Sequence, residues 1–336
     1  MMRHRVGTRA GGAAVLLTIA ALGCSSTTRA PAPRAGGAAA TTGPASTGTT
    51  AVSVRPPAPT STVAVRPPVR ARTVCANPGA PPAHYASVVV FAFENRTWSG
   101  VGMGFGPQMP YLHALGAQCS YFTDWTETDT AQSSLTQYIG QVTGARQPGT
   151  VDDCSPSVSC STRADNLFRQ ARRAGLAAIN YVEDATTGCS AAGNAAKHVP
   201  VLYLWGADDR AHCAEHTRPF SELDPNALPS FAFVTPTLCN DGHDCGNGVV
   251  DAWARAHVQP VLDSRAYREG RVAVFIWYDE DHPVPNLWIT PTATAGAHTT
   301  AGAGYAGTLR AWESMLGLPC LANACAAPDM RAAANS

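Results

Sequence analysis

The chain has 336 residues, of which 24 are Lys or Arg and 24 are Asp or Glu, so its formal net charge is zero. This balance argues against a nucleic-acid partner, because proteins that bind nucleic acid carry an excess of positive charge. Hydrophobic residues make up 45% of the chain, which is enough for a buried core.

The first 24 residues have the pattern of an export signal. Three arginines precede an apolar run over residues 13–22, and this run is shorter than the ~20 residues needed to span a bilayer. The run closes on Ala21-Leu22-Gly23-Cys24, which resembles a lipobox. We therefore expect an exported protein that is held on the membrane surface by lipid at Cys24, with simple secretion as the alternative.

Residues 25–72 consist mainly of Ala, Thr, Pro, Gly and Ser and contain almost no large apolar side chain. Such a segment cannot bury enough surface to offset its chain entropy, so we predict a disordered tether. The rest of the sequence predicts a single domain over residues 73–325 and a flexible tail over 326–336.

Eleven cysteines occur in the chain, and ten remain when Cys24 is set aside. An even number of cysteines in an exported chain indicates disulfides. The short spacings predict bridges Cys239–Cys245 and Cys320–Cys325, and the pairing of the other six is left open.

Apolar runs without polar alternation predict central strands that are covered on both faces. These runs are Ala86–Phe93, Leu176–Val182, Val201–Trp205, Phe231–Thr235 and Arg271–Tyr278.

Helical patterns lie between the strands. Ser161 or Thr162 can cap a helix that ends before Gly175. A second helix is predicted to begin at Ser134. Two more are predicted over Asp251–Leu262 and Thr308–Leu316. The alternation predicts an α/β fold with a mostly parallel central sheet and helices on both faces.

Polar clusters follow four of the predicted strands. They are Glu94-Asn95, Glu183-Asp184, the run over residues 240–244, and the run over residues 279–282. Open α/β sheets bind ligands beyond the carboxyl ends of their strands, so these clusters should meet at one edge. Oxygen donors of this kind suit a divalent cation, although acidic residues after strands are also common as helix caps and turn formers.

Ser134 is predicted to stand at the start of a helix. Free backbone N–H groups and the positive end of the helix dipole at that position favour a phosphate or an alkoxide. The simpler interpretation of a serine there is an N-cap.

An ordered series of motifs resembles the bacterial phosphoesterase family of acid phosphatases and phospholipases C, and most of all its short secreted acid phosphatases. The series runs from about Ser87 to Leu318 and consists of ENR, PYLHALGAQCSYFTDW, a serine four residues before a tyrosine, KHVP, TPTLCNDGHDC and WYDED. The resemblance implies a fold like that of alkaline phosphatase and a site for one divalent metal ion of unknown identity.

The resemblance also implies roles for individual residues. The metal ligands would be Glu94, Asn95, Asp279 and Glu280 together with the nucleophile, which matches Ser134. The same resemblance implies that His198 and His243 line the phosphate site, where an imidazole can bind an oxyanion or protonate the leaving group.

The nucleophile motif departs from the family pattern. Family members commonly have His-Pro-Ser-x-Pro-Asn-Tyr, whereas this chain has Gln132-Ser133-Ser134-Leu135-Thr136-Gln137-Tyr138 and lacks that histidine. Ser133 and Thr130 therefore stay open as alternative nucleophiles.

The function implied by the resemblance is hydrolysis of a phosphate ester through a phosphoserine intermediate. A phosphomonoester is the first choice of substrate. The alternatives are a phosphodiesterase of the phospholipase C type and a surface binding protein that retains the fold without turnover.

Overall fold

The computed structural model describes residues 73–97, 108–128, 133–185, 188–191 and 193–336. These ranges belong to one unit, Pro67–Ser336. The predicted export signal, Cys24, the tether over residues 25–72 and Thr130 lie outside the described residues. Within the described ranges, no helix combines the length and the apolar character that a membrane span requires.

A mostly parallel sheet forms the centre of the described residues. Its eight strands have the spatial order β4-β3-β5-β1-β6-β7-β2-β8, and only β7 runs antiparallel to both of its neighbours. The strands are β1 (Ser87–Phe93), β2 (Ser120–Phe122), β3 (Ala178–Val182), β4 (Thr217–Pro219), β5 (Phe231–Thr235), β6 (Val272–Tyr278), β7 (Leu287–Ile289) and β8 (Gly296–His298).

Helices surround this sheet. They are α1 (Pro110–Gly116), α2 (Ser134–Thr143), α3 (Leu167–Arg173), α4 (Ala207–His216), α5 (Asn247–Leu262), α6 (Arg265–Arg268), α7 (Tyr305–Leu316) and α8 (Met330–Ala334). Short 3₁₀ helices occur at Pro148–Thr150, Gly193–His198, Pro200–Tyr203, Phe220–Glu222 and Ala322–Ala326.

Both faces of the sheet are covered by helices. On one face, Tyr138 of α2 contacts Phe233 and Trp277, with ring centroids 5.9 and 4.8 Å apart. On the other face, Trp253 of α5 contacts Phe93 at 5.8 Å. Because alternate side chains of a strand point to opposite faces, strands covered on both faces need continuous apolar runs. The predicted α/β class with helices on both faces is confirmed.

The prediction of a strand over Val201–Trp205 was wrong. Most of this segment belongs to the 3₁₀ helix Pro200–Tyr203, and only Leu204 forms an isolated bridge, with Thr162. Pro200 at the first helical position has its φ restricted and lacks an N–H, which favours a helical turn over a central strand. The apolar run reflects burial of residues 201–204, which either structure can provide.

Two helix boundaries also differ from prediction. Asn166 caps α3, where its side chain accepts a hydrogen bond from the Arg169 N–H, so neither Ser161 nor Thr162 is the cap. Helix α5 begins four residues before Asp251 and continues through Pro260 to Leu262. Pro260 lies in the last turn of α5 and lacks the N–H that would bond to the Ala256 carbonyl, so it removes one hydrogen bond near the helix end.

Residues 326–336 do not agree with the predicted flexible tail. They include helix α8, whose Met330 and Ala334 side chains are fully buried. Asp329 caps this helix, and the Arg331 side chain donates hydrogen bonds to the carbonyls of Pro82 and Ala83. Apolar contacts at helical spacing are enough to hold so short a segment against the domain.

Five disulfides are present among the described residues. The predicted bridges Cys239–Cys245 and Cys320–Cys325 are confirmed, with Cα atoms 4.7 and 5.0 Å apart. The pairs that sequence left open are Cys75–Cys119, Cys154–Cys160 and Cys189–Cys213. Five bridges in one chain indicate an extracellular or exported protein.

Candidate active site

Two neighbouring parallel strands deliver the first carboxylates of the site. Strands β1 and β6 are paired in register, with Phe93 opposite Tyr278. The residues that follow, Glu94 and Asp279, therefore leave the sheet side by side, and both are completely buried. One carboxylate oxygen from each of Glu94, Asp279 and Glu280 lies within 4.8 Å of the other two. Of the four polar clusters predicted to meet at one sheet edge, these two lie together.

The Glu94-Asn95-Arg96 turn is held by its own hydrogen bonds. Asn95 has a left-handed φ of 53°, a conformation that asparagine tolerates better than most residues. The Asn95 N–H lies 3.3 Å from Asp279 Oδ1, so Asn95 joins the cluster through its backbone. The Arg96 guanidinium donates to the carbonyls of Asn95 and Cys245, at 2.8 and 2.9 Å. Arg96 thereby ties this turn to the loop closed by Cys239–Cys245.

Ser134 lies at the edge of the carboxylate cluster. It is the first residue of α2, and its Oγ donates a hydrogen bond to Glu94 Oε2 at 3.0 Å. Ser133 is the N-cap of this helix, accepting from the Thr136 N–H and donating to the Val151 carbonyl at 3.1 Å. Of the two serines, only Ser134 contacts a predicted ligand in the described part of the chain.

His198 connects the cluster to a further carboxylate. Its Nδ1 lies 2.9 Å from Asp241 Oδ2 and its Nε2 lies 3.3 Å from Glu94 Oε1. The ring stacks on Tyr138 with centroids 5.0 Å apart and is fully buried. Burial lowers the His198 pKa well below its usual range, so the imidazole is neutral near pH 7. With Nδ1–H donated to Asp241, the Nε2 lone pair faces a carboxylate oxygen, which requires a proton or a cation between them.

His243 lies next to the buried cluster but outside it. Its ring centroid is 5.8 Å from that of His198. Its Nδ1 is 2.7 Å from Asp244 Oδ1, and its Nε2 is 3.2 Å from Lys197 Nζ. His243 is therefore near the cluster and partly open to solvent, whereas His198 is part of the buried centre.

Burial makes ionisation of the cluster unfavourable without a counter-charge. Burial and the nearby charges of Asp279 and Asp241 raise the pKa of Glu94 well above its usual value. Burial also raises the pKa of Asp279 to about 7, that of Glu280 to about 8 and that of Asp241 to about 7. Carboxylates this close repel one another, and a bound cation would relieve that repulsion.

Orphaned oxygens show that the cluster fits a cation. Glu94 Oε1, Asp279 Oδ2 and Glu280 Oε2 are buried and have no hydrogen-bond partner among the described residues. Buried polar atoms without partners are unfavourable, and a divalent ion bound by oxygen would satisfy all three. A second buried group, Glu94 with His198 and Asp241, also has ligand atoms within 4.8 Å of one another.

Sequence reasoning overlooked two residues next to this centre. Asp241 was noticed only as part of a polar run and given no role, yet it contacts His198. Lys197 was noticed only as the first letter of KHVP, yet its Nζ lies 2.8 Å from Asp153 Oδ2. The sequence could have pointed to them by position, because Lys197 directly precedes His198 and Asp241 lies two residues before His243.

Similarity to known proteins is limited. No protein-family model matches the chain. A segment of 61 residues, 18% of the chain, is 30% identical to a Kluyveromyces lactis protein named a probable acid phosphatase, and it spans 14% of that protein.

Two solved structures resemble the fold at low sequence identity. A protein in the alkaline phosphatase superfamily from Vibrio parahaemolyticus is 15% identical, with a TM-score of 0.49 over 75% of this chain and 72% of that one. Murine ectonucleotide pyrophosphatase/phosphodiesterase 5 is 14% identical, with a TM-score of 0.41 over 57% of this chain and 56% of that one.

Proposed function

We propose that this protein hydrolyses phosphoric esters, with a phosphomonoester as its substrate, and that it belongs to the phosphoesterase family its motifs resemble. The observation that carries the proposal is the Ser134 hydroxyl at a helix start, 3.0 Å from a carboxylate of a buried oxygen cluster. The segment similar to the protein named a probable acid phosphatase supports the same class of reaction.

One divalent ion would be held by Glu94, Asn95, Asp279 and Glu280, with the Ser134 hydroxyl at its edge. Such an ion lowers the pKa of a coordinated hydroxyl and neutralises charge on phosphoryl oxygen. The three orphaned carboxylate oxygens support this ligand set. Glu94 Oε2 accepts the hydrogen bond from Ser134 Oγ and so orients the nucleophile toward the phosphorus.

The reaction is a double displacement. Ser134 Oγ passes its proton to Glu94 Oε2 and attacks phosphorus, the bond from phosphorus to the ester oxygen breaks, and water then hydrolyses the phosphoserine to release inorganic phosphate. The positive end of the α2 helix dipole favours negative charge on the phosphoryl oxygens. His243 is partly open to solvent and is the proposed proton donor to the leaving oxygen, while His198, neutral and held by Asp241, lines the phosphate site.

Substrate class can be tested directly. We expect nitrophenol to be released faster from its phosphate monoester than from its phosphorylcholine diester. The opposite order would favour the phospholipase C alternative, and turnover of neither ester would favour a surface binding protein. Anchoring of the protein by lipid at Cys24 stays a prediction.

The metal ligands can be tested by Asp279→Asn. We expect kcat to fall on the order of a thousandfold, because the variant loses one anionic ligand. Chelation of the wild type should abolish turnover, and added divalent metal should restore it. The melting temperature of the metal-free variant should not fall, because a neutral amide relieves the repulsion from Glu94. The exposed Asp263→Asn is the matched control, and equal activity of both variants would overturn the ligand set.

A further inference from the structure

Lys197 places an ammonium group beside the proposed active site. Its Nζ lies 2.8 Å from Asp153 Oδ2 and 3.2 Å from His243 Nε2. Only 14% of its side chain is exposed, so the charge sits in a restricted environment. An ammonium has three N–H donors, and these two contacts use no more than two of them.

Asp153 links this ammonium to the nucleophile helix. Its second oxygen, Oδ1, accepts a hydrogen bond from the Leu135 N–H at 3.0 Å. Leu135 directly follows Ser134, so one carboxylate fixes both Lys197 and the start of α2. The position of the positive charge relative to the Ser134 hydroxyl is therefore set by the fold.

A cavity of about 180 Å³ opens beside Lys197, and its wall also includes Asp153, His243 and Tyr203. Lys197 therefore lines a space that a ligand can enter. Arg96 lies in a different environment, because its guanidinium is hydrogen-bonded to the carbonyls of Asn95 and Cys245 and to the Asn247 side chain. Lys197 is the better placed of these two cations to meet an incoming anion.

We propose that Lys197 binds a non-bridging oxygen of the substrate phosphate and thereby selects the dianionic phosphomonoester over the monoanionic phosphodiester. This inference deepens the proposed function and rests on its placement of the phosphate at Ser134. A monoester carries nearly two negative charges near pH 7 and a diester carries one, so a fixed ammonium favours the monoester. Asp153 acts as a positioning residue, since it reaches the phosphate only through Lys197 and Leu135.

Binding of inorganic phosphate tests the inference without turnover. Calorimetry on the metal-loaded protein should show that Lys197→Met weakens phosphate binding about tenfold, because a charge-assisted hydrogen bond is lost. Lys197→Arg keeps the charge and should stay within about threefold of the wild type. Arg265→Met removes the same charge from a side chain that is 85% exposed, and it should change nothing. Unchanged affinity in Lys197→Met, or a wild type that does not bind phosphate, would overturn the inference.

Kinetics separate this inference from the proposed function. In Lys197→Met, the ratio of kcat/KM for the nitrophenyl monoester to that for the phosphorylcholine diester should fall about tenfold. An equal loss for both esters would mean that Lys197 does not select between them. If the wild type binds phosphate through Lys197 but hydrolyses neither ester, the proposed function is wrong and the phosphate contact still holds. Asp153→Asn should shift the ratio in the same direction, whereas a purely structural role would lower only its melting temperature.

Discussion

Two adjacent serines at the start of α2 have different surroundings. Ser133 satisfies backbone groups of the helix end, namely the Thr136 N–H and the Val151 carbonyl. Ser134 instead points into the carboxylate cluster, where its Oγ contacts Glu94. An N-cap residue has extended backbone and the next residue is helical, so neighbouring side chains leave the helix end in different directions.

Substitution of each serine should separate catalysis from capping. Ser134→Ala should lower kcat at least about a thousandfold while the melting temperature changes little, because only the nucleophile is lost. Ser133→Ala should retain most activity and lower the free energy of unfolding by about 1 kcal/mol, because the cap is lost. Steady-state kinetics and urea unfolding of both variants measure this. A reversed pattern would make Ser133 the nucleophile.

Helix α7 carries a buried carboxyl group, Glu313. Its Glu313 is 1% exposed, and burial raises the Glu313 pKa to about 8, against smaller opposite effects of the Leu321 backbone and Arg310. The neighbouring Trp312 packs on Phe231 and Phe275 of the sheet. The apolar packing of the helix therefore stabilises it enough to tolerate this carboxyl group.

Glu313 should make stability depend on pH. An unfolded glutamate has a pKa of about 4.3, so between that value and about 8 the folded state binds more protons than the unfolded state. Stability from this group is therefore lost as pH rises through that window. The free energy of unfolding of Glu313→Gln should exceed that of the wild type by up to about 5 kcal/mol at pH 9 and equal it near pH 4. Urea unfolding at both pH values measures the difference, and the exposed Glu269→Gln should show no such gain.

The disulfides act over very different lengths of chain. Cys75–Cys119 closes a separation of 44 residues and ties the segment before β1 to the start of β2. Cys239–Cys245 closes only 6 residues, but its loop contains Asp241 and His243. In the loop-entropy model, a bridge stabilises the fold more when the loop it closes is longer. One bridge therefore supports mainly global stability and the other mainly the site.

Removal of the first bridge should mainly lower stability, and removal of the second should mainly lower activity. Replacing Cys75 and Cys119 together by Ser should lower the free energy of unfolding by ~4 kcal/mol, against ~2 kcal/mol for Cys239 and Cys245. The second double variant should nevertheless lose more activity at a temperature where both are folded, because the positions of Asp241 and His243 loosen. Denaturant unfolding and kcat/KM provide the comparison. Equal activity losses would mean that the loop keeps its shape without the bridge.

The sequence by itself determined the elements whose signals are local. The run over residues 86–93 became β1, and the run over 271–278 became β6, because uninterrupted apolar residues suit strands that are buried on both faces. Helix α7 ends at Leu316, as the pattern over Thr308–Leu316 predicted, and Gly317 follows it with a left-handed φ of 70°. The pairs Glu94-Asn95 and Asp279-Glu280 were identified as candidate ligands by their place after strands and by family resemblance.

Only the tertiary structure decided which of these elements are neighbours. Strand β1 lies between β5 and β6, although β5 follows it by more than a hundred residues. An apolar run shows that a segment is buried, but it does not separate a strand from a helical turn. The run over 201–205 was therefore predicted as a strand, and its contacts place it mostly in a 3₁₀ helix. The contacts of Asp241 with His198 and of Asp153 with Lys197 join residues more than 40 positions apart. Such contacts depend on how the whole chain packs, and no local pattern encodes them.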